Sequence, residues 1–158
     1  EIVSSKDTPI GQVDGLYGLF SSQRAAHEKL RELAKAHALC HALLGLEKLT
    51  PRGCFGRQIK TCKGACVGLE DRAAHDERLF SALLDMKVHA WPYPGAMDLV
   101  ETQGDWVQKH RIQDWRYLGT WCSRTQGQTG QAERSFDWDT YKILVKPIML
   151  RTAAMEQV

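Results

Sequence analysis

The first clear periodic pattern lies between residues 21 and 39. Small and apolar positions recur there at helical spacing, and charged residues occupy the positions between them. The pattern predicts a helix that starts after Ser21 or Ser22, either of which can cap its open N-terminus, and that runs to about Leu39. Its predicted inward face consists of Ala26, Leu30, Leu33, Ala34 and His37. A short apolar, strand-like piece over 15–20 precedes the helix.

A second helical pattern begins after Asp71, whose carboxylate can serve as the cap, and extends to about Lys87. Its predicted apolar side consists of Leu79, Phe80, Leu83, Leu84 and Met86. From Val88 onward, β-branched and aromatic residues are interrupted by turn formers, which predicts an antiparallel sheet of three or four strands. Residues 136–144 alternate as a strand does, but a cap at Asp137 and a stop at Pro147 favour a short helix.

These elements predict an α+β fold. Two long helices flank a cysteine-rich loop region, and a small antiparallel sheet of three to four strands and a short C-terminal helix follow. We expect a linker or disordered arm over 1–14, one domain over 15–150 and a tail over 151–158. Within that domain, 15–87 form the helical, cysteine-containing part and 88–150 the sheet part.

Composition and charge add modest limits. The chain has 158 residues and a formal net charge of +2, which is too mild to indicate a nucleic-acid partner by itself. No apolar run is long enough to span a bilayer and no signal peptide is recognisable, so we expect a cytoplasmic protein without a membrane partner, in which thiols stay reduced. The chain begins at Glu1 rather than at a methionine, and we expect it to be a piece of something longer.

Four of the five cysteines lie within one short segment, at Cys40, Cys54, Cys62 and Cys66. Thiolates held close together repel one another, so such a group needs a metal, a metal cluster or disulfides. The gaps of 13, 7 and 3 residues contain no tight two-residue pair of the kind common in zinc sites. The spacing alone leaves an iron–sulfur cluster and zinc equally open, with disulfides formed by oxidation during purification as a third option. Cys122 is interpreted as a buried apolar residue.

Basic residues surround these cysteines, and no acidic residue lies between positions 48 and 69. The positive charge can offset the thiolates and can also present donors to phosphates, so we predict a DNA-contact surface. Plain solvation of a loop is the alternative. The predicted contact residues are Lys48, Arg52, Arg57, Lys60 and Lys63, extended by Arg24, Arg31 and Lys35 of the first helix.

Other residues with chemical potential have simpler interpretations. Three tryptophans lie in apolar runs and are predicted to be core residues: Trp91, Trp115 and Trp121. Polar residues flank Trp106 and Trp138, so the sequence does not decide whether these two lie in the core or are free to stack on bases. Asp137 and Asp139 are predicted to act at a helix start rather than as metal ligands, because no third carboxylate completes a nuclease site. None of the six histidines shows a convincing ligand pairing.

Five stretches of the chain resemble the UvrC family of DNA-repair nucleases. The most specific is 54–68, which reads CFGRQIKTCKGACVG, and the others are 16–20, 44–47, 91–96 and 136–144. The likeness covers about 16–147 and is closer to the short branch called Cho, and to the UvrC-like tail that some bacteria fuse behind a DNA polymerase III epsilon-type exonuclease. The sequence departs from the family pattern at His41 and Gly56, and neither is one of the cysteines.

The resemblance implies a [4Fe-4S] cluster held by Cys40, Cys54, Cys62 and Cys66, with zinc as the alternative. It implies a role in nucleotide excision repair and the SOS response, in which a GIY-YIG domain nicks DNA 3′ to a lesion. That domain is not recognisable here, because no second Tyr-Ile-Gly, arginine or glutamate follows Leu16-Tyr17-Gly18 in the required pattern. No catalytic residue is therefore transferred, and the chain resembles the part that follows the nuclease. The implied partners are DNA, an upstream GIY-YIG domain, and a UvrB-like repair protein or an exonuclease domain.

Three functions follow as hypotheses. The first is a DNA-binding module that holds the duplex for the upstream nuclease. The second is an enzyme whose sheet carries a second metal-dependent nuclease centre, as the RNase H-like domain of UvrC does. The third is a module that docks onto a repair or replication protein, with its metal acting only as a structural staple.

Overall fold

The computed structural model describes all 158 residues, Glu1–Val158, and divides them into two compact units. The first unit contains residues 1–3 and 17–88, and the second contains residues 4–16 and 89–158. The first is mainly helical and carries the cysteine segment, and the second is built on an antiparallel sheet. The predicted α+β class is therefore confirmed.

Two helices dominate the first unit, α1 (Gln23–Ala36) and α3 (Arg72–Leu83). Between them lie only a single turn of helix, α2 (Phe55–Gln58), and a 3₁₀ turn over Ala65–Val67. A second 3₁₀ turn, Leu84–Met86, follows α3 and leads into the short strand β2 (Lys87–Val88), which pairs with β1 (Leu16–Tyr17). The second predicted helix is thus shorter than expected, since its last turn is 3₁₀ and Lys87 is already extended.

The end of α1 delivers the first cysteine to the interior. Ala38 adopts the left-handed conformation with φ of 50°, and the Leu39 N–H donates to the Ala34 carbonyl at 2.9 Å. This 6→1 bond is the Schellman arrangement that closes many helices. It ends α1 before the predicted Leu39 and turns Leu39 and Cys40 inward, where both side chains are fully buried.

The core of the first unit forms between α1 and α3. Leu33, Ala34 and Leu39 are buried, and the partly buried residues packed against them are Leu44, Leu46, Leu79, Ala82, Leu83 and Met86. The predicted apolar side of the second helix is wrong at two positions, because Phe80 and Leu84 are exposed. Each follows a core residue directly and so lies about 100° further around the helix axis. His37 of the predicted α1 face is exposed as well.

The cap of α1 is the basis for a stability prediction. Ser22 has an extended backbone, and its hydroxyl accepts the Ala25 N–H at 3.1 Å. Replacing Ser22 with alanine should lower the free energy of unfolding by about 1 kcal/mol, because one N-terminal donor of the helix loses its partner. Urea unfolding followed by circular dichroism would measure the loss. Ser21→Ala is the matched control, and an equal loss in both variants would contradict the assignment of the cap.

The second unit contains a five-stranded antiparallel sheet in the order β6-β5-β4-β3-β7. Its strands are β3 (Met97–Gln103), β4 (Trp106–Gln113), β5 (Arg116–Cys122), β6 (Gly127–Thr129) and β7 (Ala154–Gln157). The prediction of three to four strands is one short. Strand β7 pairs with β3 and lies in the segment expected to be a tail, and β6 lies in a polar stretch where no strand was expected.

Helix α4 (Trp138–Met149) accompanies this sheet, and the predicted cap is confirmed, since Asp137 accepts the Thr140 N–H at 2.8 Å. The helix continues two residues beyond Pro147 instead of stopping there. The N-terminal segment expected to be an arm is ordered against the same unit, with Ile10 buried and the Gly11 carbonyl accepting the Trp91 N–H at 2.7 Å.

The tryptophan predictions for this unit are confirmed at two positions of three. Trp91 and Trp115 are buried, but Trp121 is 43% exposed. Successive side chains of a strand point to opposite faces of its sheet, so the buried Thr120 and Cys122 of β5 place Trp121 on the other face. None of the helices has the length and apolar character required to cross a bilayer.

Candidate metal centre

The four clustered cysteines meet in space. One ligand atom from each of Cys40, Cys54, Cys62 and Cys66 lies within 4.8 Å of every other, and all four thiols are free of disulfides. The first three are buried and Cys66 is half-buried. The only group of three or more metal-ligating side chains in the chain is therefore the set singled out from the sequence.

A different local structure positions each of the four cysteines. Cys40 follows the closed end of α1, whereas Cys54 is the cap residue of α2. Cys62 comes four residues after that helix ends, and Cys66 is the middle residue of the first 3₁₀ turn. Three of the four thus come from a segment of 13 residues, and Cys40 comes from outside it.

Three of the four sulfurs also accept a backbone N–H. The donors are Arg57 to Cys54 at 3.3 Å, Gly64 to Cys62 at 3.3 Å, and the Cys54 N–H to Cys66 at 3.4 Å. Hydrogen bonds to sulfur stabilise the thiolate form, which is the form that binds metals. The backbone donors therefore favour the thiolate form at Cys54, Cys62 and Cys66.

Glycine is required close to two of the ligands. Gly64 has a φ of 89°, a conformation that residues with a Cβ seldom adopt, and its N–H faces the Cys62 sulfur. Gly56 is packed so that an added Cβ would lie 3.3 Å from the Cys62 Cβ and 3.2 Å from the Thr61 Oγ1. A side chain at position 56 would therefore require Thr61 and Cys62 to shift slightly.

Burial acts against ionisation of the thiols. It raises the pKa of Cys40 to about 12 and also raises the pKa of Cys62. At Cys54 burial acts in the same direction, but the Arg57 N–H and the neighbouring thiols outweigh it and lower the pKa. Without a metal, Cys40 keeps its proton at neutral pH. Metal uptake must therefore release protons, and metal affinity should fall as the pH falls.

The donor set fits both metal groups considered. A tetrahedral zinc ion with Zn–S bonds of about 2.3 Å holds its four sulfurs roughly 3.8 Å apart. A [4Fe-4S] cluster takes one thiolate on each iron, so its sulfurs stand further apart than around one ion. Four sulfurs that face one another can ligate either group, and their spacing of at most 4.8 Å is nearer to that around a single ion.

The predicted basic residues are all exposed, but the structure gathers only some of them. Arg57, Lys60 and Lys63 line one cavity of about 560 Å³ next to Cys62. The other residues around that cavity are Ala38, Gln58, Thr61 and Leu69, so it contains no acidic group. Arg57 also donates to the Arg52 carbonyl at 3.0 Å. The remaining predicted contacts, Arg24, Arg31, Lys35, Lys48 and Arg52, do not line this cavity.

Ion pairing sets only Arg24 apart from the other seven predicted basic residues. Arg24 pairs with Glu28 along α1 at 2.9 Å, whereas Arg57, Lys60 and Lys63 form no ion pair. The three cavity residues therefore present positive charge beside the cysteines without a carboxylate at ion-pair distance. Basic side chains arranged in this way can donate hydrogen bonds to a phosphate group.

Two side chains hold the backbone next to the cysteine centre, and no pattern in the sequence predicts either contact. His75 of α3 is buried, and its ring accepts the Cys40 N–H at 3.1 Å. Arg78 of the same helix donates to the carbonyls of His37 and Ala38 at 2.9 and 3.1 Å. Both lie at least 35 residues from their partners, so no local motif joins them to the cysteines.

Comparison with known proteins agrees with this geometry. Residues 2–85 match the family described as UvrC/Cho excinuclease, middle domain, and residues 96–158 match the Excinuclease Cho C-terminal domain. The chain belongs to the UvrC/Cho excinuclease family. The predicted resemblance is thus confirmed, and all four clustered cysteines lie in the part that matches the UvrC/Cho middle domain.

Similar proteins include Excinuclease cho of Escherichia coli strain K12, which is 38% identical over 151 residues, and that of Salmonella typhi, which is 40% identical over 151 residues. Both alignments cover 94% of this chain, but they cover 51% and 52% of the respective relatives. The chain thus spans about half the length of the curated Cho relatives it matches. No solved structure matches it.

Proposed function

We propose that this chain is the DNA-binding, metal-containing part of a Cho-type endonuclease of nucleotide excision repair. It would hold DNA for a GIY-YIG nuclease domain that lies outside these residues. The observation that carries the proposal is the cavity lined by Arg57, Lys60 and Lys63, which adjoins the cysteine centre and contains no acid. Membership of the UvrC/Cho excinuclease family supplies DNA as the substrate class.

The charge pattern supports contact with the DNA backbone rather than with bases. Guanidinium and ammonium groups on an exposed surface neutralise phosphates and displace their counterions. Arg57, Lys60 and Lys63 are free of internal ion pairs, so DNA would not have to compete with a carboxylate for them. Binding would be largely independent of sequence and steeply dependent on salt.

The proposed metal group is a [4Fe-4S] cluster on Cys40, Cys54, Cys62 and Cys66. Its support is the match of these cysteines to the family pattern and the absence of a two-residue zinc pair in their spacing. Zinc is the second candidate, because the sulfurs lie within 4.8 Å of one another, close to the spacing around one tetrahedral ion. Metal analysis of protein purified without oxygen decides between about four irons and one zinc per chain.

The wider setting of the proposal rests on the family likeness. On that basis we propose that the protein is cytoplasmic, acts in the SOS response and has a UvrB-like repair protein as its partner. A fused polymerase III epsilon-type exonuclease is a further option. For a second nuclease centre the structure offers little support, since Asp137 caps α4 and Asp139 pairs with Lys142 at 3.6 Å. We therefore assign no catalytic residue to this chain.

A triple variant tests the proposed DNA surface. Changing Arg57, Lys60 and Lys63 to glutamine should lower the slope of log affinity against log salt by roughly 2.7, because each phosphate that a basic side chain neutralises contributes about 0.9 to that slope. Fluorescence anisotropy with a labelled duplex over a range of salt concentrations would measure it. The charge-matched control changes Lys6, Lys142 and Lys146 to glutamine and should leave the slope unchanged. Equal reductions in the two variants, or a salt-independent affinity of the wild type, would refute the assigned surface.

A further inference from the structure

His75 lies beneath the cysteine centre as a buried polar side chain. Its ring is 1% exposed, and its Nε2 atom lies 3.1 Å from the backbone nitrogen of Cys40. A backbone N–H can only donate, so Nε2 is the acceptor and carries no proton. The hydrogen bond therefore requires one particular tautomer of neutral histidine.

The neighbouring side chains hold that tautomer. The Nδ1 atom of His75, which then carries the proton, donates to Asp76 at 3.0 Å. The same carboxylate accepts the Arg72 guanidinium one helical turn earlier, at 3.1 and 3.2 Å to its two oxygens. The pKa of Asp76 is lowered, first by the bond from His75 and then by Arg72, so its carboxylate stays charged as an acceptor. A chain of hydrogen bonds thus runs from the surface of α3 to the Cys40 backbone.

A second contact from α3 secures the residues just before Cys40. Arg78, three positions after His75 on the helix, donates to the carbonyls of His37 and Ala38 and pairs with both oxygens of Glu70. Residues three apart lie on the same face of a helix. One face of α3 therefore holds the backbone from 37 to 40 at three points.

Cys40 is the ligand that most needs such support. The other three cysteines lie within 54–66, where the chain itself limits their separation. Thirteen residues separate Cys40 from Cys54, the nearest of the other ligands in the sequence. Cys40 also lies only two residues after Ala38, which has the left-handed conformation. Its position must be set by tertiary contacts, because the connecting loop between Cys40 and Cys54 contains no helix or strand.

We propose that His75 is a positioning residue of the metal centre, which fixes Cys40 for binding through the bond from the Cys40 N–H to Nε2 and is itself oriented by Asp76. The inference rests on the proposed metal centre. Partners that orient ligands from outside the coordination shell typically change metal affinity by about 10- to 100-fold when they are removed. Loss of this bond should therefore weaken metal retention by releasing the Cys40 side of the site.

The test compares His75→Leu and His75→Gln with the wild type. The affinity for the metal present in the purified protein, measured by competition with a chelator, should be about 10- to 100-fold lower in His75→Leu. His75→Gln should restore most of the retention, since its side-chain carbonyl can accept the Cys40 N–H. Asp76→Asn should have an intermediate effect, and His27→Leu, a change of a histidine of α1 in the same unit, should have none.

A second measurement separates positioning from general destabilisation. Iodoacetamide labelling of the metal-loaded variants, followed by peptide mass spectrometry, reports the reactivity of each cysteine separately. His75→Leu should increase the reactivity of Cys40 before that of Cys54, Cys62 and Cys66. Equal gains at all four cysteines, or failure of a folded His75→Gln variant to restore retention, would overturn the proposal.

The wild type provides the final distinction. If it contains metal and His75→Leu retains that metal equally well, the positioning role is refuted and the proposed centre stands. If the wild type contains no metal when purified without oxygen and takes up neither iron nor zinc, the proposed centre is refuted, and the role of His75 with it.

Discussion

Replacing Cys62 with alanine is expected to abolish metal binding and to unfold the segment between Cys40 and Cys66. Cys62 supplies one of four converging sulfurs, and a site with three thiols loses both a ligand and much of the charge balance of the bound metal. The binding energy of a structural metal is folding energy, amounting to roughly 10 kcal/mol or more for zinc in small domains. Metal content and amide hydrogen exchange over 40–66 would measure the two effects.

The reason for such a large effect is the scarcity of other structure in that segment. Its 27 residues contain one turn of α-helix and one 3₁₀ turn, and no strand. A buried cluster of Cys40, Cys54 and Cys62 takes the place of a conventional apolar core there. Hydrogen exchange should therefore become fast throughout the segment once the metal is lost.

The matched control is Cys122→Ala, because Cys122 is also a buried cysteine but lies in the sheet unit. Its sulfur accepts the Trp106 ring N–H at 3.1 Å, and this bond, with nearby backbone donors, lowers the pKa of Cys122 to about 7. Its replacement should leave the metal content unchanged. Full metal content in Cys62→Ala, or metal loss in Cys122→Ala, would contradict the assignment of the four ligands.

The features that the sequence predicted correctly are mostly local. The caps Ser22, Asp71 and Asp137 are confirmed, because a cap depends on hydrogen bonds to residues only two or three positions away. The grouping of four cysteines was also visible, since three of them lie within 13 residues. Short-range spacing therefore predicted both the starts of the helices and most of the metal site.

The features that the sequence did not predict depend on distant residues. The contact between His75 and Cys40 joins side chain and backbone across 35 positions, and no spacing rule indicates it. Strand β7 is mostly exposed and contains no β-branched or aromatic residue, so only its pairing with β3 makes it a strand. The apolar residues around Trp121 predict a core position, because they obscure the alternation of buried and exposed side chains along β5; the structure instead exposes Trp121. In each case, contacts between residues that are distant in the sequence determine a feature that the local sequence pattern does not predict.

The largest effect in the sheet unit is expected from Trp115→Ala. Trp115 is completely buried although it lies in the turn between β4 and β5, with a φ of 62°. Its ring packs edge-on against Trp91 and Tyr141, with centroid distances of 5.1 Å to each, and its Nε1–H donates to the His89 carbonyl at 2.8 Å. The alanine variant should lose about 3–5 kcal/mol of unfolding free energy, because a large cavity replaces the ring.

Comparison with two further variants separates the causes of that loss. Trp115→Phe keeps most of the aromatic packing but leaves the His89 carbonyl without its donor, so a loss of about 1–3 kcal/mol is expected. Trp121→Ala removes a tryptophan from the exposed face of β5 and should cost well under the core value. Denaturant unfolding monitored by near-ultraviolet circular dichroism would rank them. If Trp121→Ala cost as much as Trp115→Ala, burial would not be the cause, and the aromatic cluster around Trp115 could not be the centre of this unit.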